Sequence, residues 1–481
     1  MTMNKIGRGA ALGAGLGAGL FASLPAWAQA VATTPAATPF VPTAAMVNKG
    51  DTAWMLISAA LVLMMSVPGL ALFYGGLVRA KNMLSVLVQV MTIVCVAALV
   101  WVCWGYSMAF TNGGGLNSFV GGFSKVFLKG VDATTFAATF SNGVYLPELV
   151  FVIFQMTFAC ITPALIVGAF AERVKFTPLI VFTVVWLTIV YFPMAHMVWY
   201  WPGPDFQPGA PTDHGLLWGW GALDFAGGTV VHINAGIAGL MGCLVIGKRH
   251  GYKAEPMPPH SLVMTMIGAS LLWVGWFGFN AGSNLEANAV TAVAFINTVV
   301  ATAAAGAVWA IIEQVLHKKP SLLGVATGVV AGLVAITPAA GFAHPMTSIV
   351  LGGVASLVCF FFVTTVKNKL GYDDTLDVFG VHCVGGIVGA IATGIVAAPS
   401  LGGQGVFDYN VMPAAFDPAT YSIATQTWVQ VKAVAFTLVY SGVISWLLFV
   451  VLDKTMGLRP SLEVESEGLD INEHGERAYN M

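Results

Sequence analysis

Eleven apolar runs, each long enough to cross a lipid bilayer as a helix, follow one another along this sequence. Charged residues make up 9% of the 481 residues and hydrophobic residues 57%, whereas soluble domains are about 25% charged. A backbone in lipid must satisfy its own hydrogen bonds, so an all-α membrane protein with 11 transmembrane helices is predicted. The spans are predicted near 52–74, 84–110, 148–171, 177–200, 224–247, 261–281, 288–315, 321–342, 346–366, 376–398 and 427–451.

The first 30 residues are typical of a removed signal peptide. Lys5 and Arg8 precede a Gly/Ala/Leu run, and AWAQA offers a small-residue cleavage site after Ala30. A first membrane helix is the alternative, but the apolar stretch is short and rich in glycine. The remaining chain divides into a flexible periplasmic extension at 31–50, a membrane domain at 51–452 and a cytoplasmic tail at 453–481.

Basic residues are shared unevenly between the two sets of loops. Fourteen Lys and Arg residues lie in alternate loops and the C-terminal tail, whereas Lys49, Lys125 and Lys129 lie in the opposite loops and the mature N-terminus. The positive-inside rule then predicts an outer N-terminus and a cytoplasmic C-terminus, in the inner (plasma) membrane. The net charge of -2 offers no basic surface for nucleic acid.

Two copies of the pattern H-x-x-x-G-I-x-G lie five spans apart. His232 begins HINAGIAG in the fifth span and His382 begins HCVGGIVG in the tenth, with Asp224 and Asp377 as the upstream aspartates. An odd separation makes the copies run in opposite directions, which predicts two inverted five-helix repeats plus a final helix. Ionisable side chains deep in a membrane usually face a cavity or a partner. Two neutral imidazoles could pass on a proton or a small N–H molecule, although two hydrogen-bonded core histidines would fit the same pattern.

Other classes of protein fit less well. The six cysteines all lie in apolar runs and are interpreted as structural. No third His, Cys or carboxylate stands at ligand spacing beside His232 and His382, so no metal or other cofactor is predicted, and we do not expect an enzyme. His196 is the nearest other intramembrane histidine. The tail is too short to form a fused signalling domain, but a sensor that works through a partner stays possible.

The sequence resembles the ammonium transporter (Amt/Rh) family, of the bacterial ammonium transporter type. The resemblance covers nearly all of the mature chain and rests on long motifs in one order. These are PGLALFYGGLVRAKN, FQMTFACITPALIVGAFAERV, AHMVW, DFAGGTVVHINAG, GWFGFNAGS, INTVVAT, ITPAAG, DVFGVH and the tail EGLDINEHGERAY.

The resemblance implies a set of site residues along one pore. It implies an outer cage for a small cation, formed by Phe158, Trp199 and Ser283, with Asp224 behind it in a supporting role. It implies a gate in which Phe154, or Phe158 itself, stacks with Phe279. It also implies a narrow pore past the twin histidines His232 and His382, with Trp276 beside them.

The implied function is ammonium transport across the lipid bilayer. NH4+ would be recruited at the cage and deprotonated, and NH3 would move past the histidines to the cytoplasm, with net proton or charge transfer. An electroneutral NH3 (or CO2) gas channel and an ammonium sensor acting through a PII-type partner remain alternatives. The resemblance further implies a homotrimer and an ordered cytoplasmic tail to which a PII-type signalling protein could bind.

Overall fold

The computed structural model describes residues 41–205, 213–407 and 420–479. The predicted signal peptide lies outside these residues, as does 31–40 of the predicted extension. Within the described ranges, eleven helices are long and apolar enough to cross a membrane, and each overlaps one predicted span, so the predicted all-α fold with eleven transmembrane helices is confirmed. They are α1 (Lys49–Leu77), α2 (Ala80–Phe110), α3 (Glu148–Phe170), α4 (Phe176–Trp199), α5 (Gly228–Ile246), α6 (Leu262–Ala281), α7 (Ala289–His317), α8 (Leu322–Ala339), α9 (Pro345–Leu370), α10 (Phe379–Val396) and α11 (Ile423–Met456).

Several of these helices begin at a capping side chain, and two begin with a π-helical turn. The side chains of Asn48, Ser261 and Asn288 accept hydrogen bonds from first-turn amides of α1, α6 and α7, which would otherwise lack acceptors. The first turns of α5, Gly228–Ile233, and α10, Phe379–Cys383, are π-helical. Such wide turns are frequent at functional sites, and each of these two carries one histidine of the repeated pattern.

The two copies of the histidine pattern pack against each other through their glycines. Gly236 and Gly386 both stand four residues after a histidine. A Cβ at Gly236 would lie 2.5 Å from the main-chain nitrogen of Cys383, and a Cβ at Gly386 would lie 3.0 Å from the main-chain oxygen of Gly228. Each glycine therefore allows the backbone of one repeat to approach the other. This close approach is the physical reason for the glycine in the shared pattern.

A small sheet lies on the face opposite the C-terminal tail. Strands β1 (Phe136–Ala138) and β2 (Tyr145–Pro147) pair antiparallel, with Ala137 opposite Leu146. They belong to the long connection between α2 and α3. The connection between α4 and α5 lies on the same face, because α4 begins beside the tail and ends away from it.

The C-terminal tail is ordered and packed against the bundle, as the resemblance implied. It forms two short helices, α12 (Leu462–Glu467) and α13 (Leu469–His474). The Asp470 carboxylate accepts hydrogen bonds from the main-chain nitrogens of Leu84 and Ser85 in α2, at 3.0 and 2.8 Å. Leu469 is fully buried. The tail therefore forms part of one face of the bundle, which we call the tail face.

Buried ion pairs join the loops of the tail face. Glu172 pairs with Arg79 at 2.8 Å and with Arg249 at 3.2 Å, and Arg249 also pairs with Asp373 at 2.8 Å. The fully buried Arg173 lies 3.9 Å from Asp373. Burial by itself would raise the pKa of Glu172 and Asp373, but the hydrogen bonds and charges of these arginines bring both pKa values below the usual range. The network therefore fixes four loops with ionised groups.

Candidate functional site

Two histidines meet at the centre of the bundle. The Nδ1 atoms of His232 and His382 lie 3.2 Å apart, and the rings stack with centroids 5.3 Å apart and planes 20° from parallel. Their exposed fractions are 2% and 5%. In a hydrogen bond between these two nitrogens, one has to donate and the other has to accept. At least one ring therefore has an unprotonated Nδ1. The two repeats thus form one shared polar unit inside an apolar bundle.

Aromatic rings continue from the histidines toward the face opposite the tail. The Phe279 ring lies 5.9 Å from His232, and the Phe158 ring lies 4.3 Å from Phe279 at 31°. The Trp199 ring meets Phe158 edge-on at 5.8 Å and 87°. Trp276 stacks on His232 at 5.4 Å and 16°. The sequence-predicted aromatic residues therefore form one continuous column with the histidine pair.

The ring that faces Phe279 in this column is that of Phe158, with the two planes tilted by 31°. Phe154 is fully buried one turn earlier on α3 and contacts Phe158 edge-on, with centroids 5.0 Å apart at 66°. It therefore supports the Phe158 ring from the side.

Ser283 is linked to the column through Phe279. Its hydroxyl donates to the main-chain oxygen of Phe279 at 2.8 Å, which leaves the lone pairs of the hydroxyl oxygen for another donor. A Cβ at the preceding Gly282 would lie 3.0 Å from the Phe154 ring. The segment that carries Ser283 thus packs directly against the phenylalanines.

The Asp224 carboxylate organises the start of α5. It accepts four hydrogen bonds from the consecutive amides of residues 227 to 230, at 2.6 to 3.1 Å. Its main-chain oxygen accepts a hydrogen bond from Trp199 Nε1 at 3.0 Å. A carboxylate at a helix N-terminus satisfies free amides and favours the helix dipole. Asp224 therefore connects the Trp199 ring with the π-helical turn that carries His232.

The second repeat has its own capping aspartate, which is not the upstream aspartate that the sequence pattern named. Asp374, not Asp377, accepts from the main-chain nitrogens of Val378 and Phe379, at 3.0 and 2.8 Å. Asp374 precedes His382 by eight residues, the same spacing as Asp224 before His232. Asp377 instead pairs with Lys367 at 2.6 Å. Equal spacing to the histidine was the signal that identifies the right aspartate.

A narrow cavity follows the histidine pair. The cavity volume, counted as the space that the centre of a water molecule can occupy, is about 10 Å³. This is close to the minimum that holds one water. Its lining is apolar apart from the histidines and the Trp276 indole: Met65, Leu70, Phe73, Ile161, Leu165, Val231, His232, Leu272, Trp276, Phe279, Val330 and His382. Within the described part of the chain, the buried Nε2 of His232 has no hydrogen-bond partner. The cavity therefore suits a small guest that can form a hydrogen bond.

Thr337 is a site residue that the sequence did not single out. Its hydroxyl accepts a hydrogen bond from Trp276 Nε1 at 2.9 Å and donates to the main-chain oxygen of Leu333 at 2.7 Å. Thr337 thereby fixes the plane of the indole that stacks on His232. Its motif, ITPAAG, was recognised, but nothing in that string predicts a bond to a tryptophan some sixty residues earlier.

Comparison with known proteins agrees with this architecture. The sequence profile of the Ammonium Transporter Family matches residues 53–479. The chain belongs to the Ammonium Transporter Family. With eleven apolar spanning helices, it is a multi-pass membrane protein.

Relatives in this family align over almost their whole length. An ammonium transporter of Bacillus subtilis is 44% identical over 90% of this chain and 99% of its own length. An ammonium transporter of Aquifex aeolicus is 45% identical over 91% of this chain and 95% of its own. Among solved structures, a sensor Amt protein has a TM-score of 0.77 at 26% identity, covering 88% of this chain and 98% of that one. Saccharomyces cerevisiae Mep2 has a TM-score of 0.75 at 30% identity, covering 87% and 91%.

Proposed function

We propose that this Ammonium Transporter Family member moves ammonium through the aromatic column and past the histidine pair. NH4+ binds at Phe158, Trp199 and Ser283, loses its proton there, and continues as NH3 toward the tail face. The observation that carries the proposal is the Nδ1 contact of His232 with His382 inside an apolar cavity. A bare cation in such a cavity would lose its hydration without replacement, so the conducted species has to be neutral or paired.

The proposed cage has the chemistry for a small cation. The faces of Phe158 and Trp199 attract positive charge, and the lone pairs of the Ser283 hydroxyl accept an N–H. The Trp199 ring is held by its bond to the main-chain oxygen of Asp224. Because the Asp224 carboxylate is bonded to four amides, we assign it a supporting role in holding Trp199 and the start of α5.

The proposed gate is the tilted pair of rings formed by Phe158 and Phe279. With centroids 4.3 Å apart, the two rings leave no room for a molecule between them, so one ring has to rotate for each passage. Both side chains are at most 1% exposed, and Phe154 packs against Phe158 from the side. The gate therefore excludes water and hydrated ions while it is closed.

The histidines then hold NH3 in the pore. The buried Nε2 of His232 can donate to or accept from the guest, while Nδ1 of each ring bonds to the other ring. Trp276 covers one face of His232. A proton that moves along the same pair, or through water, makes the transport electrogenic.

Electrical recording from purified protein in liposomes tests this proposal. An ammonium pulse is expected to give a transient inward positive current in the wild type. His232→Asp should abolish the current, and Phe158→Ala should weaken selection against other cations, because the gate loses one ring. His317→Gln, an exposed histidine at the end of α7, is the matched control and should retain the current. Wild-type flux of NH3 without any current would reject the electrogenic scheme and favour the gas channel.

A sensor role is the second candidate, supported by the likeness to a sensor Amt protein. In that case ammonium would bind the same cage, and the tail would transmit the occupancy to a partner. We further propose a homotrimer and a PII-type partner at the tail face, as the family resemblance implies. Native mass spectrometry measures the subunit number. Co-purification with a PII-type protein tests the partner, and it is carried out with the wild type and with the tail variant Asp470→Ala.

A further inference from the structure

His196 is a fully buried histidine whose two ring nitrogens both face main-chain carbonyl oxygens. Nδ1 lies 2.9 Å from the oxygen of Ala109, at the end of α2, and Nε2 lies 2.6 Å from the oxygen of Asn117, in the α2–α3 connection. A carbonyl oxygen only accepts hydrogen bonds, and a neutral imidazole has only one N–H to donate. A neutral ring would leave a nitrogen lone pair pointing at an oxygen lone pair at one of these two contacts.

We propose that His196 holds both ring protons at neutral pH and, as an imidazolium, positions the end of α4 that carries Trp199. Only the doubly protonated ring can donate at both contacts, and each bond is then charge-assisted. This inference rests on the proposed function of Trp199 as part of the cage, and it assigns His196 a positioning role.

The surroundings of the ring fit a positive charge. Tyr200 stacks on His196 with centroids 4.5 Å apart at 15°, a geometry in which an aromatic face attracts a cation. The Tyr200 hydroxyl donates to the Asp213 carboxylate at 2.9 Å. Asp213, from the α4–α5 connection, therefore places a negative charge directly behind the ring that stacks on His196. The α2 end and the α2–α3 connection present uncharged groups to it, the oxygens of Ala109 and Asn117.

These contacts join four segments around the base of Trp199. Asp213 also accepts from Asn112 at 2.5 Å and from Asn117 at 3.2 Å. The main-chain nitrogen of Gly215 donates to the oxygen of Tyr200 at 2.9 Å, and a Cβ at Gly215 would lie 2.1 Å from the oxygen of His196. Trp199 stands one helical turn after His196. Loss of one ring proton would therefore release one of the two hydrogen bonds by which the His196 ring holds the end of α4 to Ala109 and Asn117.

Nitrogen NMR on the intact protein, labelled with 15N-histidine and reconstituted in lipid, measures the protonation state directly. At neutral pH, one histidine absent from the His196→Gln spectrum should show both ring nitrogens protonated. Asp213→Asn should move the deprotonation of this ring to lower pH, because the counter-charge is lost. If His196→Gln does not fold, comparison of the wild-type spectrum with the Asp213→Asn spectrum still identifies the signal of the His196 ring. A single protonated nitrogen at neutral pH would overturn the proposal.

Liposome currents then test the positioning role. In the wild type, the NH4+ concentration for half-maximal current should rise at the alkaline pH at which NMR shows His196 losing a proton. In His196→Gln it should be raised about tenfold already at neutral pH, as expected for one lost charge-assisted hydrogen bond, with the maximal current changed less. His260→Gln is the control, because its ring faces one carbonyl oxygen and one hydroxyl and needs no second proton. An unchanged half-maximal concentration in His196→Gln contradicts the role, whereas a wild type without ammonium flux contradicts the proposed function instead.

Discussion

The contact between His232 and His382 restricts how many protons the pair can hold. Two imidazolium rings would point one Nδ1–H at the other across 3.2 Å, so the doubly charged state is excluded by geometry as well as by repulsion. One proton can still move from ring to ring if both rings keep their positions. Those positions depend on the carboxylates that cap the turns before each histidine, Asp224 and Asp374.

A residue-scale prediction compares two neighbouring aspartates. Asp374→Asn should lower the Tm of the purified protein and reduce the ammonium current. The new side-chain NH2 group cannot accept a hydrogen bond, so one of the two main-chain amides loses its acceptor. An unsatisfied buried amide costs about 1–3 kcal/mol. Asp377→Asn is the matched control, since Asp377 accepts from Lys367 at a partly exposed position. Equal effects of the two substitutions on Tm would count against Asp374 as the cap of α10.

A second residue-scale prediction concerns the support of Trp276. Thr337→Val keeps the shape of the side chain but leaves Trp276 Nε1 without its acceptor. We expect a Tm lower by the equivalent of about 1–3 kcal/mol and a smaller ammonium current, because the indole is free to tilt away from His232. Thermal unfolding and liposome currents measure the two effects. Thr327→Val, whose hydroxyl only donates back to the helix, is the control and should leave the current unchanged.

At the scale of elements, the two histidine helices fit together because their glycines allow backbone contact. Gly236 of α5 meets the main chain of α10, and Gly386 of α10 meets the main chain at the start of α5. Small residues at such contacts are the usual means of close helix packing in membranes. The 3.2 Å contact between the imidazoles depends on this separation of the two helices.

An element-scale prediction follows for the glycines. Gly236→Ala should abolish the ammonium current and lower Tm, because its Cβ would lie 2.5 Å from the Cys383 nitrogen and backbone cannot move aside cheaply. Gly353→Ala in α9 is the control, since its nearest neighbour, a Val308 methyl, would be 3.6 Å away. A Gly236→Ala protein with wild-type current would show that the spacing of the repeats is not critical.

Much of this element-level architecture could be predicted from the sequence. Length and hydropathy predicted all eleven spans, and the repeated pattern predicted the inverted repeats. The pairing of His232 with His382 came from the family resemblance. The aromatic column was available from family motifs, because Phe158, Trp199 and Phe279 lie in them. The bond from Trp276 to Thr337 and the choice of Asp374 over Asp377 were missed. The first depends on tertiary packing, and the second required comparison of spacing to the histidine instead of proximity to it.

At the scale of the whole molecule, the buried ion pairs of the tail face connect both repeats. Glu172 follows α3, and Asp373 precedes α10, yet Arg249 bonds to both. The pKa values of both carboxyls are lowered in the folded chain, so the pairs contribute stability above the ordinary carboxyl pKa of about 4 and lose it as pH falls through the lowered folded values.

A prediction at this scale uses acid and one substitution. The Tm of the purified protein in detergent should fall as pH drops below about 4, because the carboxyls of the unfolded chain bind protons there before those of the folded chain do. Arg249→Gln should lower Tm at neutral pH, since removing one partner from buried ion pairs costs about 3–5 kcal/mol, and should reduce the further loss in acid. Lys319→Gln, an exposed basic residue between α7 and α8, is the control. An Arg249→Gln protein with the same acid profile as the wild type would rule out this network as the source.

The distance along the chain between the paired imidazoles has a consequence for biosynthesis. The two rings are separated by 150 residues, and the glycine contacts that enclose them come from both copies of the pattern. When only the first five helices have been inserted, the His232 ring therefore still lacks His382 and the α10 backbone that packs against Gly236. The contact between the two rings has to wait for the tenth helix, which makes it one of the last contacts to form as the membrane domain is completed.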